Sequence, residues 1–204
     1  MGKSIYQVKL EKKLEEFKRL NLRPRLLLHS CCGPCSSYVL SYLKDYFEIT
    51  VFYYNPNIYP EEEYLHRLSE QSRLIDEMNK EAGKEEVALI PGKWDEELFL
   101  EMVKGLEGEP EGGARCAKCF EMRLGETKKL AEEGNFDYFA TTLTVSPHKN
   151  AVLINSIGEG VGGNWLPSDF KKREGYKKSI ELSKKYGLYR QDYCGCRFSI
   201  HQEE

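Results

Sequence analysis

The sequence predicts an α/β protein: a parallel, doubly wound sheet flanked by helices, followed by a C-terminal helical segment that carries cysteines. Short apolar runs rich in β-formers alternate with longer stretches of helical spacing. The first runs build a strand–loop–helix–strand unit over residues 25–55, with a cysteine-rich loop after its first strand. No internal repeat or low-complexity tail interrupts the pattern.

Residues 4–20 set Val8, Leu10, Leu14 and Phe17 among charges at roughly helical spacing, an amphipathic helix. Arg25–Ser30 (RLLLHS) and Glu48–Asn55 (EITVFYYN) read as strands, with a helix over Ser36–Phe47 between them. Pro60–Gly83 is a long charged helix whose first turn holds Pro60 and three glutamates, both favourable at a helix start. Glu86–Pro91 is the third strand, Trp94–Leu106 another helix, and Phe136–Thr142 (FDYFATT) the fourth strand. Glu107–Ala114 (EGEPEGGA) is a loop, expected to be mobile, that delivers Cys116 to a helix running to about Glu133. Lys149–Gly158 and Asp169–Tyr186 are the remaining helices. Residues 1–204 form a single domain, in which 169–197 supply a helix and a Cys-x-Cys segment closing the site. Ligands are expected where loops leave the carboxyl ends of the strands.

Composition sets limits on function. Apolar residues make up 40% of the chain and charged residues 31%, a globular rather than disordered balance. No stretch approaches the roughly eighteen uninterrupted apolar residues of a membrane span, so no membrane partner is expected. Residues 1–20 carry lysines and glutamates throughout and lack the apolar core of a secretory signal, which predicts a cytoplasmic protein. The net charge is −3, so a nucleic acid must be held by a local basic patch.

The seven cysteines fall in three tight groups: Cys31, Cys32 and Cys35; Cys116 and Cys119; Cys194 and Cys196. In a reducing compartment such clustering indicates metal or redox chemistry rather than a disulfide framework. HSCCGPCS (residues 29–36) follows the first strand and opens a helix, where helix-start N–H groups favour anions and thiolates. RCAKC (115–119) is a second Cys-x-x-Cys at a helix start; with the first group it offers enough thiolates for tetrahedral zinc or an iron–sulfur cluster. Cys194 and Cys196 form either a strained, easily reduced disulfide or ligands for a second metal. Asn55, in the loop NPNIYP, and TTLTVSPH after the fourth strand stand where substrate loops belong. His29 and His148 read first as hydrogen-bonded structural residues. Lys171, Lys172, Arg173, Lys177 and Lys178 surround Tyr176 and could grip phosphates, or simply form a solvated face.

With these motifs in hand, the chain resembles the QueH family of epoxyqueuosine reductases. HSCCGPCS, YNPNIYPEEEY, RCAKCFEMRL, FDYFATTLTVSPHKN and DFKKREGYKKSIELSKKYGLYRQDYCGC carry the resemblance, which spans residues 29–196 and includes every cysteine. It implies the last, cobalamin-independent step of queuosine synthesis: removal of the epoxide oxygen from the wobble base of a tRNA. It also implies a 4Fe–4S cluster on Cys31, Cys32, Cys116 and Cys119, with Cys194 and Cys196 as a redox-active pair. Cys35 is then a ligand of a possible additional iron or other metal ion, or a cluster ligand in a rival set with Cys32, Cys116 and Cys119.

Removing an epoxide oxygen takes two electrons and two protons and yields water. An electron donor of ferredoxin or flavodoxin type would feed the centre, and Asp192, Tyr193 and Asp137 are proton-delivery candidates. An extruded base suits stacking on Tyr59, Tyr189 and Tyr193, with Arg190 and the Lys171–Arg173 run on phosphates. A Rossmann-like (HUP-like) sheet places the cysteine loop where ATP-pyrophosphatase-type tRNA-modifying enzymes carry a phosphate loop; thiols here replace its glycines and serine, and ATP is not expected to be used. Two other readings compete: an iron–sulfur thiol–disulfide (heterodisulfide-type) reductase, and a zinc-stabilised RNA-binding module.

Overall fold

The computed structural model describes residues 4–199. Four strands, β1 (Arg25–His29), β2 (Glu48–Tyr53), β3 (Val87–Pro91) and β4 (Tyr138–Thr141), form one sheet in the order β3-β2-β1-β4, every pair parallel. The doubly wound expectation is met. Its helices are α1 (Ile5–Leu20), α2 (Gly33–Leu43), α3 (Glu61–Ala82), α4 (Glu96–Met102), α5 (Ala114–Glu133), α6 (Ala151–Gly160) and α7 (Gly175–Lys185). Among the described residues no helix is long and apolar enough to cross a membrane.

The run Leu26-Leu27-Leu28 explains the layering, because successive side chains point to opposite faces and all three are fully buried. Leu26 and Leu28 pack with Leu10, Leu14 and Phe17 of α1 and with Val39, Leu40 and Leu43 of α2. Leu27 faces the other core, among Phe120 and Leu124 of α5, Ile154 of α6, Phe139 and Trp165. Each such side chain contributes about 1.5–3 kcal/mol by leaving water. Apolar strands sandwiched between helices leave one open edge for chemistry, the carboxyl ends of β1, β2 and β4.

Of the element boundaries that differ from the expectation, three have a clear local reason, while the Trp94–Leu106 helix shortens to Glu96–Met102. Helix α2 starts at Gly33, inside the cysteine motif, rather than at Ser36: Pro34 fits the first turn, and Ser36 N already donates to Cys32 O at 3.1 Å. Helix α6 starts at Ala151 because the Asn150 side chain caps it, accepting from the amides of Val152 and Leu153. That leaves Lys149 outside the helix. Helix α7 covers only Gly175–Lys185, since Arg173 and Glu174 turn through left-handed backbone (φ 55° and 60°) just before it. A side chain at Gly175 would set its Cβ 1.7 Å from the Phe170 carbonyl oxygen and 2.5 Å from the Tyr38 ring.

Gly175→Ala is therefore expected to destabilise the protein by about 2–3 kcal/mol through overpacking against backbone, read as a lower denaturant midpoint with unchanged m-value.

Candidate active site

Three loops converge at the carboxyl edge. After β1 the chain enters Ser30–Cys35, after β2 Tyr54–Tyr59, and after β4 a 3-10 turn, Thr142–Val145, that leads to His148 and Lys149. Buried hydrogen bonds fix the first loop: Ser30 Oγ donates to Gln71 Oε1 at 2.7 Å, Asn55 Nδ2 to Ser30 O at 2.9 Å, and Ser36 Oγ to Cys32 O at 3.0 Å. So held, the sulfurs of Cys31, Cys32 and Cys35 lie within 4.8 Å of one another, Cys31 and Cys32 at 3.7 Å. The three thiols cannot all ionise. The S–H groups of Cys32 and Cys35, with the charges of Lys149 and Arg123, hold the Cys31 thiol well below its ordinary pKa. The contact with Cys31, with burial, pushes Cys32 up to about 11, and the contacts with Cys31 and Cys32 push Cys35 upward. One thiolate with two thiols turned toward it is a ready chelating group.

The other four cysteines face this group. Cys116 and Cys119 sit on the first turns of α5; Gly112 N donates to Cys116 Sγ at 3.2 Å. Cys194 and Cys196 lie on the C-terminal segment, which crosses the edge and is pinned there by backbone contacts. Tyr59 N donates to Gly195 O at 2.8 Å, Ile58 and Cys196 form an antiparallel bridge, and Arg67 Nη1 donates to Cys194 O at 3.2 Å. Cys119 and Cys196 are raised by burial to about 11 and about 12, so both stay thiols when no metal is bound. Two adjoining cavities result. A cavity of about 590 Å³ is lined by Cys31, Cys32, Cys35 and Cys194. A smaller one of about 70 Å³ is lined by Cys116, Cys119, Cys194 and Cys196. Cys194 and Arg123 belong to both.

Arg123 is buried, 2% exposed, between the two cysteine groups. It donates through Nε to His29 Nε2 at 3.2 Å, through Nη1 to Cys119 Sγ at 3.8 Å, and through Nη2 to Asn55 Oδ1. Burial, then the Arg123 charge, lowers the His29 pKa to about 3, so the imidazole is neutral and balances nothing. Among the described residues no carboxylate is ion-paired with Arg123. Its guanidinium charge is opposed by burial and favoured by Cys119, Cys31 and Cys194. Lys149 repeats the pattern, its ammonium held against burial by Cys194, Cys31 and Cys35. A buried cation needs an anion, and before metal binds the Cys31 thiolate is the one the site offers. A thiolate-ligated, negatively charged metal centre fits this donor set and this charge.

The sequence-derived residues distribute unevenly. Asn55, Arg190, Asp192, Tyr193 and Cys194 line the large cavity. Tyr59 is at the surface under the Arg197 guanidinium (4.2 Å), and Tyr189 packs on His66 and donates to Glu63 Oε1 at 3.2 Å. Neither lines the cavity. Lys171 Nζ donates to Lys149 O at 2.7 Å and Arg173 pairs with Glu11 at 3.6 Å, beside the pocket rather than in it. Asp137 is a correction: its carboxylate accepts from Arg25 N at 2.8 Å, at the start of β1 and hence the opposite end of the sheet. Cys35 joins Cys31 and Cys32 where the carried-over ligand set has Cys116 and Cys119. Sequence reasoning flagged the NPNIYP loop without singling out Asn57, and missed Arg67, Arg123, Lys149 and Gln191. Of those four, Arg123 alone had a signal, standing four residues after Cys119 on one helix face.

Fold and site together define a parallel α/β protein with a thiol-rich, cationic centre at the carboxyl edge of its sheet. Comparison with known sequences is specific. The family model described as epoxyqueuosine reductase QueH matches residues 26–202, and the chain belongs to this family. An epoxyqueuosine reductase QueH of Staphylococcus epidermidis is 44% identical over 204 residues, covering 97% of this chain and 85% of that protein. One of Streptococcus pyogenes is 41% identical (97% and 79% covered), and one of Thermotoga maritima 33% (86% and 90%). Among solved structures, the U34-tRNA thiolase NcsA from Methanococcus maripaludis, with its 4Fe–4S cluster, superposes with a TM-score of 0.51. At 14% identity, over 96% of this chain and 67% of that one, it shares the fold.

Gly195 (φ 94°) lets the Cys-x-Cys turn lie on Arg67; a Cβ there would come 2.8 Å from Arg67 Nη1. Gly195→Ala is expected to displace Cys194 and Cys196, lowering turnover at least about tenfold while stability falls by only about 1–2 kcal/mol. Unfolding curves beside single-turnover rates check it.

Proposed function

We propose that the chain is an epoxyqueuosine reductase, removing the epoxide oxygen of epoxyqueuosine in tRNA to leave the alkene of queuosine. The observation that carries the reading is the convergence of Cys31, Cys32 and Cys35, with Lys149 and Arg123 as countercharge, in a pocket of about 590 Å³. That volume accepts an extruded nucleoside. In balance, both C–O bonds of the epoxide break, a C=C bond forms, and two electrons and two protons release the oxygen as water.

Cys31, Cys32 and Cys35 would hold a 4Fe–4S cluster, with Cys116 and Cys119 on the facing wall as the source of the remaining ligand. When bound, the cluster supplies low-potential electrons one at a time. An external donor of ferredoxin or flavodoxin type delivers them. The Cys194–Cys196 dithiol, with Cys194 on both cavities and Cys196 on the smaller, stores a two-electron equivalent: oxidation to the disulfide yields two electrons and two protons; the donor later restores the electrons and solvent the protons. Lys149 points its ammonium among Cys31, Cys35 and Cys194 and is the best-placed proton source; Asp192, exposed on the rim, reloads it from solvent. Tyr193 lies against Arg67 (5.1 Å), and burial raises its pKa, so it keeps its proton and offers a stacking face. Lys171, Lys172 and Arg173, flanking the pocket, meet the RNA backbone outside it.

Anaerobic purification with iron and sulfide analysis should give about four of each per chain. Added epoxyqueuosine tRNA and a strong reductant should yield queuosine. A colourless protein holding only zinc after reconstitution would remove the reductase reading. Cys35→Ser should lose the visible absorption as Cys32→Ser does, whereas Cys194→Ser should keep it and lose turnover. Arg123→Gln should lower the cluster's midpoint potential, with Arg123→Lys nearer wild type; equal potentials in all three would rule out Arg123 as its countercharge.

A further inference from the structure

Buried polar side-chain atoms are almost always paired, so those left over at a pocket point to what the pocket binds. Among the described residues, three such unpaired atoms belong to residues lining the large cavity: Asn57 Oδ1, Arg67 Nη2 and Gln191 Oε1, each closed to water in this structure, so that their side chains must turn for a ligand to reach them. They come from three different elements: the loop after β2, the second turn of α3, and the C-terminal segment. Asn57 and Arg67 are each 2% exposed. The rest of Arg67 is committed, Nε to Glu63 Oε1 at 2.7 Å and Nη1 to Cys194 O at 3.2 Å, so Nη2 is the donor left over.

We propose that Asn57, Arg67 and Gln191 form a base-reading site for a guanine-type edge. Two acceptors and one donor match a ring that offers two donors and one acceptor: the N1–H and exocyclic amine donate to the carboxamide oxygens, and O6 accepts from Arg67 Nη2. Adenine, cytosine and uracil each leave at least one member of the set mispaired. The inference rests on the reductase reading, whose substrate base carries this edge, and adds which residues select it. The site also explains a structural link. Arg67 joins the base site to the Cys194 carbonyl, so seating a base and placing the Cys-x-Cys turn depend on one guanidinium. A site with such unpaired groups rejects an analogue that cannot pair with them.

The test uses the full chain, loaded with its metal, and stem-loop RNAs identical except for guanosine, inosine or adenosine at the anticodon wobble position. The wild-type protein should bind the guanosine loop at least about tenfold more tightly than the adenosine loop, with inosine, which lacks one donor, between them. Gln191→Leu and Asn57→Leu should bring at least one of these ratios close to one, while visible absorption and unfolding midpoint report that the protein is intact. Equal wild-type affinity for guanosine and adenosine loops overturns the proposal without any variant. So do intact variants that discriminate as the wild type does. In either case, continued reduction of epoxyqueuosine tRNA would leave the reductase reading standing. Failure to bind any loop, with no turnover, would remove both.

Discussion

Arg123 carries a positive charge into the protein interior, and the residues around it offer a neutral imidazole, a carboxamide and sulfur. Taking a guanidinium out of water without an anion costs several kcal/mol, so the fold places near that charge the Cys31 thiolate and the cysteines that become thiolates on binding metal. Lys149 adds a second cation near Cys31 and Cys194. Around these two charges the three cysteine groups, more than 160 residues apart at their extremes, become one site. A cluster held by several thiolates is an anion, and its potential depends on nearby countercharge. The same pair of cations that meets the Cys31 thiolate would also set the electrostatics of a cluster held there.

The sheet supplies the geometry that the charges require. Because β1, β2 and β4 are parallel, their carboxyl ends all open on one edge, and the loops leaving them are neighbours. Helix α5 brings Cys119 and Arg123 to that edge on one face. The C-terminal segment arrives last, held along α3 by Tyr189 N donating to Glu70 Oε2 at 2.8 Å and by Arg73 donating to the Tyr186 and Gly187 carbonyls. Contacts to backbone suit a segment that must be positioned by its path. Its cysteines are then placed at the site without carrying the packing.

Much of this was legible in the sequence, for identifiable reasons. Strand and helix periods found all four strands and the principal helices, since Leu26-Leu27-Leu28 and Val87–Pro91 have few alternatives once helices flank them. The end of the Asp169–Tyr186 stretch that failed to be helix depends on a close approach between Gly175 and Phe170 O, a tertiary fact with no local signature. The cysteines announced the site because thiols in groups are rare outside chemistry. Their partners did not, because Asn57, Arg67, Lys149 and Gln191 are ordinary surface types whose burial follows from where the loops meet. Asp137 misled for the same reason: neighbourhood along the chain placed it near a strand end, and strand direction put that end on the wrong side of the sheet.

The cysteine loop also shows how one position in a fold can serve a different anion. The start of α2 leaves backbone N–H groups without helical partners, and Cys32, at the N-cap, gives no side-chain cap. In many α/β proteins such amides receive a phosphate from a ligand. Here Cys35 N faces Cys32 sulfur and lowers its pKa, partly offsetting the push from Cys31. The sulfur that meets the helix start is thus built into the chain, and the loop's anion is its neighbour, the Cys31 thiolate. A phosphate comes and goes with its nucleotide, but a thiolate stays and can bind metal. The loop then keeps a charge of its own, and the pocket above it is left free for a ligand.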